Sequence, residues 1–446
     1  MAKYNLKIKN GLLVTEDGIK ESDILIGDGV IKEIGKALEA RAENTIDATG
    51  KYVLPGLIDA HTHPVYLDDL GDLSISAAFG GTTTLIHFAY AKPGSGLMET
   101  INDFRSDGES NSVLDFGLHG GLFDPENQSH EIPSAVAEGV QSFKMFMTYA
   151  KLGWMTDDYQ LMRTLDIISE SGGLGMVHAE NGLATDYLQD KYNEKGLDPI
   201  ETFLSTRPAR LEAEAINRAA SMAEVADCPL YIPHLSAMED IEVVRRFKDK
   251  GFPIFGETCP QYLTLTSEQI FEKGPLAKIG PPIRDLEDQD ALWGGLADGT
   301  IDTIASDHAP KPKKKGDDFF DAPYGSPQVE TLFSVVNQDG VNGGRITLTQ
   351  LVKNASTKPA KIFGLYPEKG SLLKDTDADL VIFDPTKNHT ISQDNQHSNA
   401  TYTLYEGKEC LGKPVFSTLR GEVLLEGDTL KGSPGQGKFL STDISF

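Results

Sequence analysis

Residues 140–180, VQSFKMFMTYAKLGWMTDDYQLMRTLDIISESGGLGMVHAE, contain one complete strand–helix–strand unit. The apolar run VQSFKMFM predicts a buried strand, and LGMVHAE predicts a second one. Between them, DDYQLMRTLDIISES has apolar residues at helical spacing. A helix that connects two strands in this way is typical of parallel strands joined by a right-handed crossover. The unit therefore favours the α/β class.

The same alternation extends outward from this unit, over residues 52 to about 340. Further strands are predicted in YVLPGLIDAH, TTTLIHFA, SVLDFGLHGG, PLYIPHL, FPIFGET and IDTIASDHA, and another amphipathic helix in RLEAEAINRAASMAEVA. About eight such repeats predict a closed (β/α)8 barrel of the TIM type.

The two ends of the chain have a different pattern, with short strands and tight turns. Residues 4–50 contain YNLKIKN and DILIGDGVIKEIG, and DADLVIFDP and PVFSTLRGEVLLEG follow Gly370. Neither end has enough strands to bury a sheet face alone, so we expect one small β-sandwich domain built from both termini. The expected boundaries are 1–51 and 366–446 for the two parts of this domain, the second including the tail, and 52–365 for the barrel.

Composition excludes several classes of protein. Among 446 residues, 41 are Lys or Arg and 67 are Asp or Glu, which gives a net charge of −26. So acidic a chain is a poor partner for nucleic-acid phosphates or an anionic membrane surface. Cys228, Cys259 and Cys410 lie far apart and form neither a disulfide framework nor a CxxC metal site. With no apolar run long enough for a signal core or a bilayer span, we expect a cytoplasmic protein.

Polar side chains occur where the predicted barrel strands end. In GLIDAHTH, two histidines lie two residues apart, so on a strand they point to the same face. The other residues of this kind follow later strands, and the full set is His61, His63, Lys144, His178, His234 and Asp307. Strand ends meet at one mouth of such a barrel, and imidazole and carboxylate groups are ligands for zinc-like metals.

Each of these residues has a structural alternative when it is considered alone. A single strand histidine is more often a core residue, Asp307 could cap a helix, and Lys144 could extend its ammonium to solvent. Their joint occurrence at strand ends, in barrel order, favours a metal centre.

The chain resembles the hydantoinase/dihydropyrimidinase branch of the amidohydrolase superfamily. The motifs that resemble this family, between about residue 50 and about residue 385, are GLIDAHTH, AAFGGTTT, SFKMFMTY, VHAEN, ETCPQYLTLT, GPPIR, SDHAP, NASTKPAKIFGLYPEKGSL and DADLVIFDP.

The resemblance implies a site with two divalent metal ions. Zinc is the first expectation, and manganese, cobalt and iron are the alternatives. His61, His63 and Asp307 would bind the more buried ion, and His178 and His234 the other. Lys144 would be carboxylated by carbon dioxide, and its carbamate would bridge both ions. This modification explains a lysine among histidines, since an ammonium has three donors and no acceptor.

The resemblance also implies the reaction: a metal-bridging hydroxide attacks a ring amide of a small cyclic substrate. Asp307 would move the proton to the departing ring nitrogen, and Tyr149 would donate to the developing oxyanion. Tyr149, Gly280 and Tyr324 would contact the substrate. The resemblance also implies a homo-oligomer, either a tetramer or a dimer.

The identity of the ring stays open, because three positions depart from the family pattern. Dihydroorotases usually have an arginine at the position of Val65, which argues against dihydroorotate. Hydantoinases usually have a serine at the position of Gly280 and an asparagine at that of Tyr324. A cyclic ureide or imide of the hydantoin or dihydropyrimidine type is the first hypothesis. Allantoinase, dihydroorotase-like and lactam hydrolase activities, and a scaffold without catalysis, are the alternatives.

Other polar residues have a less specific interpretation. His87, His119 and His308 are interpreted as core residues or supports of the site, and Cys259 as a buried packing residue. A basic run follows Asp307 and consists of Lys311, Lys313, Lys314 and Lys315. It is interpreted as a solvated loop; the alternative is a mobile rim that attracts an anionic substrate or an acidic neighbouring subunit.

Overall fold

The computed structural model describes residues 4–446, and the strands in this range form two sheets. In chain order they are β1 (Tyr4–Thr15), β2 (Gly18–Gly27), β3 (Val30–Gly35), β4 (Ala42–Asp47), β5 (Tyr52–Pro55), β6 (Leu57–Thr62), β7 (Thr82–Ala91), β8 (Asp115–Leu122), β9 (Ser142–Phe146), β10 (Leu174–His178), β11 (Leu230–Ile232), β12 (Ile254–Thr258), β13 (Thr303–Ile304), β14 (Leu380–Thr390), β15 (Glu409–Leu419), β16 (Glu422–Glu426) and β17 (Thr429–Leu430).

Strands β6 to β13 form the parallel sheet that the alternating pattern predicts. They pair in chain order, and a parallel bridge between Thr62 and His308 brings the first and last strands together. There the backbone N–H of His63 donates to the carbonyl of His308 at 3.0 Å. All ten residues of β7 are buried, as expected for a strand covered on both faces. The (β/α)8 barrel is confirmed, and in the described residues it is nearly closed.

Helices between the strands cover the outside of the barrel. In chain order they are α1 (Leu70–Phe79), α2 (Leu97–Asn111), α3 (Pro125–Gln128), α4 (Ile132–Ala137), α5 (Asp158–Glu170), α6 (Gly182–Glu194), α7 (Pro199–Thr206), α8 (Ala209–Val225), α9 (Met238–Asp249), α10 (Pro260–Thr264), α11 (Glu268–Lys273), α12 (Leu286–Asp298), α13 (Leu332–Val336), α14 (Leu348–Val352) and α15 (Lys358–Ile362). Helix α5 begins where the sequence predicts, because Asp157 caps it by accepting from the backbone N–H of Gln160. None of the helices within residues 4–446 combines the length and the apolar character that a membrane span requires.

The second sheet has nine strands and is built from both ends of the chain, as predicted. Its order is β17-β16-β15-β14-β5-β1-β2-β3, and β4 pairs with β1. The junction lies between β5 and β14, where Val381 pairs with Leu54. Ile8 and Ile24 from the N-terminal part share one apolar cluster with Leu380 from the C-terminal part. The contribution of both ends is confirmed, whereas the exact domain boundaries stay predictions, and residues 1–3 lie outside the described range.

A buried lysine connects this mixed sheet to the barrel. Lys369 Nζ lies 2.6 Å from Asp115 on β8, 2.9 Å from Asp377 and 2.7 Å from Asp379. The three carboxylates are close enough to one another to suggest a metal site, but the ammonium already lies between them. We therefore interpret the cluster as a structural ion-pair network.

Candidate metal centre and substrate cavity

The six candidate ligands meet at one mouth of the barrel, at the carboxyl ends of the strands. His61 lies in β6, Lys144 in β9 and His178 at the end of β10. His63, His234 and Asp307 follow β6, β11 and β13, respectively. The histidines and the lysine are buried, and the Asp307 side chain is only 11% exposed.

The first group consists of His61, His63 and Asp307. One carboxylate oxygen of Asp307 lies 3.2 Å from Nε2 of His61 and 2.9 Å from Nε2 of His63. The candidate ligand atoms of the three residues all lie within 4.8 Å of one another. Burial lowers the pKa of His61 well below its usual value, which favours the neutral imidazole that binds metals. The three groups can therefore hold one cation.

The second group consists of His178 and His234, whose ring centroids lie 4.5 Å apart. Nε2 of His178 lies 2.8 Å from a carboxylate oxygen of Glu180, which leaves its Nδ1 for a ligand. Nε2 of His234 is buried and has no hydrogen-bond partner in residues 4–446. A buried polar atom without a partner is costly unless something absent from the chain binds it. The second group can therefore hold another cation, and its His234 ring lies 5.4 Å from that of His61.

Lys144 lies between the two groups. Its Nζ lies 3.0 Å from Nε2 of His61 and 4.4 Å from the ring centroid of Phe88. Burial lowers the pKa of Lys144 to about 8, so more of the neutral amine exists near neutral pH than for an exposed lysine. The neutral amine is the form that reacts with carbon dioxide.

A cavity of about 210 Å³ opens beside these residues, and Tyr149, Gly280 and Tyr324 all line it. Tyr149 has a positive φ of 66°, and its ring lies 5.4 Å from that of His178. His234 and Asp307 also adopt positive φ, at 46° and 50°. Such conformations are uncommon for residues other than glycine and cluster at functional sites.

The comparison with known proteins agrees with this geometry. Residues 52–410 match the amidohydrolase family. The chain belongs to this family. It is 42% identical to a D-hydantoinase from Ralstonia pickettii, with 97% of this chain and 98% of the relative covered. A D-hydantoinase from Geobacillus stearothermophilus is 40% identical, with 97% and 95% covered.

Solved structures give the same assignment. A D-hydantoinase structure superposes with a TM-score of 0.95 at 39% identity, over 99% of both chains. The dihydropyrimidinase from Brevibacillus agri NCHU1002 has a TM-score of 0.94 at 35% identity, again over 99% of both chains. The protein is thus a hydantoinase-like amidohydrolase.

Sequence analysis does not identify several residues that hold the candidate ligands of this amidohydrolase in place. Glu257, at the end of β12, has Oε1 2.6 Å from Nδ1 of His61 and accepts from the backbone N–H of His234 at 3.1 Å. The hydroxyl of Tyr90 lies 3.0 Å from Nδ1 of His63. Such partners fix the orientation of a metal-binding imidazole. Glu257 lies in the quoted motif ETCPQY, so its position at a strand end could have identified it.

His178 has its own support, which continues into the cavity wall. Glu180 accepts from Arg207 at 2.7 Å, and Arg207 also donates to the hydroxyl of Tyr324 at 3.2 Å. Burial alone would raise the pKa of Glu180, but Arg207 and His178 lower it to about 2. Nothing local in the sequence marks Arg207, which lies between α7 and α8.

Gly280 and Tyr324, two of the departures from the family pattern, are in contact. A Cβ atom on Gly280 would lie only 3.2 Å from Cδ1 of Tyr324 and 3.6 Å from the hydroxyl of Tyr149. A serine side chain at position 280 would therefore crowd the ring of Tyr324, which would have to shift by a few tenths of an ångström. The two departures are best understood as one change in the shape of this amidohydrolase's cavity.

The remaining predicted residues lie outside the two ligand groups. His308 bonds to Asp68 at 2.9 Å, and His119 lies 3.0 Å from the carbonyl of Ala60. His87 is buried near Phe116, and Cys259 is fully buried, in line with the packing interpretation.

The basic run is only partly a solvated loop. Lys314 and Lys315 are exposed, as expected. Lys313 is buried, and its ammonium donates to the backbone carbonyls of Leu276 and Lys278 at 3.1 Å. Lys311 lines the cavity. The interpretation as a uniformly solvated loop is therefore wrong for Lys311 and Lys313.

Proposed function

We propose that this amidohydrolase opens the amide bond of a cyclic ureide or imide of the hydantoin or dihydropyrimidine type, with the help of two divalent cations. The observation that carries the proposal is the convergence of four imidazoles, a carboxylate and a buried lysine beside one cavity. Similarity to D-hydantoinases over 97% of the chain supports the ring class.

The residues fit a centre with two cations. His61, His63 and Asp307 would hold the first ion, and His178 and His234 the second, with Lys144 between them as a carbamate. The unpartnered Nε2 of His234 supports this assignment. Zinc suits imidazole and carboxylate ligands; manganese, cobalt and iron are alternatives. Bound there, the ions would polarise a ring carbonyl and lower the pKa of a water.

Side chains of the protein transfer the protons during ring opening. Asp307 accepts a proton from the attacking water and gives it to the ring nitrogen as the C–N bond breaks. The oxygen of the water becomes bonded to the former carbonyl carbon, and a hydantoin yields an N-carbamoyl amino acid. Burial raises the pKa of Tyr149 far above its usual value, so its hydroxyl stays protonated and can donate to the developing oxyanion.

The proposal includes a homo-oligomer and a cytoplasmic location. Tyr159 and Leu183 are 74% and 63% exposed and line the same surface groove, which supports burial of this face against another copy. The three cysteines are buried and free of disulfides, which agrees with a reducing compartment.

The test is ring opening on a panel of hydantoins, dihydrouracil, allantoin, dihydroorotate and simple lactams, with protein reconstituted with zinc and bicarbonate. We expect turnover of hydantoins or dihydropyrimidines. If the protein opens only a ring outside the hydantoins and dihydropyrimidines, the proposed substrate class is wrong, whereas the proposed metal-assisted reaction stands. A protein that binds no metal after growth with zinc, and opens no ring, would contradict the proposal and favour a scaffold.

A further inference from the structure

Lys311 places a cation on the wall of the cavity, on the side of His63 and Tyr66. Its Nζ lies 4.1 Å from the ring centroid of Tyr66, so the ammonium stacks on an aromatic face. The residue is only partly exposed. This side chain is four residues beyond Asp307, on the loop that forms the rim, and none of the steps proposed above uses it.

The other buried cations near the cavity all have partners within the chain. Arg207 pairs with Glu180 at 2.7 Å, and Lys278 donates to two backbone carbonyls at 2.9 and 2.7 Å. Lys313 donates to two further carbonyls. For Lys311, by contrast, the contact found within residues 4–446 is the ring of Tyr66, and the carboxylate of Asp307 attracts the ammonium only from beyond ion-pair distance.

Among the described residues, no counter-ion is in direct contact with this ammonium, since Asp307 acts on it only at longer range. Removal of a cation from water is costly unless an anion or hydrogen-bond acceptors replace the water. In a chain with a net charge of −26, an anionic substrate also needs a local positive group to approach the site. A single ammonium beside a cavity of about 210 Å³ suits one carboxylate on a small molecule.

We propose that the ring opened by this enzyme carries a carboxylate on its exocyclic substituent, and that Lys311 pairs with this carboxylate. The inference rests on the proposed function and narrows it from cyclic amides in general to acidic ones. It assigns Lys311 to substrate specificity and leaves bond cleavage to the residues named above.

The test compares 5-carboxymethylhydantoin with its primary amide, which has nearly the same shape and no charge. We expect the wild-type enzyme to prefer the acid by about tenfold or more in kcat/KM, as is typical of a charged hydrogen bond. Lys311→Met should remove most of this preference, chiefly through a higher KM for the acid. Lys315→Met removes the same charge from an exposed position of the same loop and should keep the preference.

Calorimetric binding of both compounds to the zinc-loaded proteins makes the test independent of turnover. If the wild-type protein binds the acid more tightly than the amide, and Lys311→Met abolishes this difference, the inference is supported even for a ring that is not opened. Equal affinity for acid and amide in the wild-type enzyme, or an unchanged ratio in Lys311→Met, would overturn it. If both rings are opened equally well, the inference fails while the proposed function stands. If neither ring is opened, the proposed function fails for hydantoins.

Discussion

Lys144 is a fully buried lysine whose Nζ lies 3.0 Å from an imidazole nitrogen of His61. Burial of an ammonium beside candidate metal ligands is unfavourable, whereas a carbamate would add two acceptor oxygens at the same place. The proposed modification would therefore convert an unfavourable side chain into a ligand, and the activity should depend on it.

We expect Lys144→Ala to lower ring-opening activity by about 10³-fold or more, because it removes the group that connects the two cation sites. A small carboxylic acid added to this variant should restore part of the activity. Labelled bicarbonate should give a carbamate signal by NMR in the wild-type protein and none in the variant. Lys250→Ala, on the exposed surface, serves as the control. Full activity of Lys144→Ala without an added acid would contradict the carbamate assignment.

Tyr149 presents its hydroxyl to the cavity from a backbone with positive φ. Tyr149→Phe should lower kcat by about 10²–10³-fold and change KM much less, because the lost donor acts on charge that develops during the reaction. Steady-state kinetics with Tyr187→Phe as the exposed control separates this effect from a general one. An unchanged kcat would remove Tyr149 from the reaction.

At the scale of elements, two loops contribute neighbouring parts of the cavity wall. Gly280 precedes α12 and Tyr324 precedes α13, and the two residues are in contact beside the cavity. Their contact suggests that a change at either position requires a change at the other.

Gly280→Ser should therefore lower kcat/KM for the natural ring by about tenfold, since its Cβ would lie 3.2 Å from the ring of Tyr324. The double variant Gly280→Ser with Tyr324→Asn should recover activity on hydantoins, with a coupling of about 0.5 kcal/mol or more between the sites. A double-mutant cycle in kcat/KM measures this coupling. Additive effects of the two substitutions would show that they are independent.

The strands, and the positions of the candidate ligand residues at the strand ends, could be predicted because both depend on local sequence. Apolar runs mark the strands, and the polar residue after each run reaches the barrel mouth, as His178 and His234 do. The partners of these residues could not be predicted in the same way. Glu257 is 196 residues from His61 along the chain, so only the closure of the barrel brings them together. The burial of Lys313 likewise depends on carbonyls of a distant loop.

At the scale of the whole molecule, the barrel and the mixed sheet are connected by Lys369 and its three carboxylates. Burial lowers the pKa of Lys369, but Asp379 and Asp115 outweigh this effect and raise it above the usual value. While the carboxylates stay ionised, the contribution of Lys369 is therefore fully present up to a pH of about 10.5, the ordinary lysine pKa, and it is lost as the pH rises from there through the raised pKa of the folded state.

Lys369→Met should lower the free energy of unfolding by about 3 kcal/mol, because it leaves the buried carboxylate of Asp379 without a cation, whereas Arg420 still pairs with Asp115. The loss should be largest near neutral pH. Denaturant unfolding of this variant and of Lys374→Met, an exposed control that should change stability by less than about 0.5 kcal/mol, provides the measurement. Equal stability of the two variants would contradict the role of Lys369.

Ring opening at the mouth of the barrel should depend on bound metal. The most direct measurement is the rate of hydantoin opening by protein stripped with a chelator and then titrated with zinc in bicarbonate buffer, with bound metal counted by elemental analysis. The stripped protein should be inactive, and activity should rise with bound zinc up to two ions per chain. Equal ring opening by the metal-free protein, or none by a protein that holds two ions, would contradict the account.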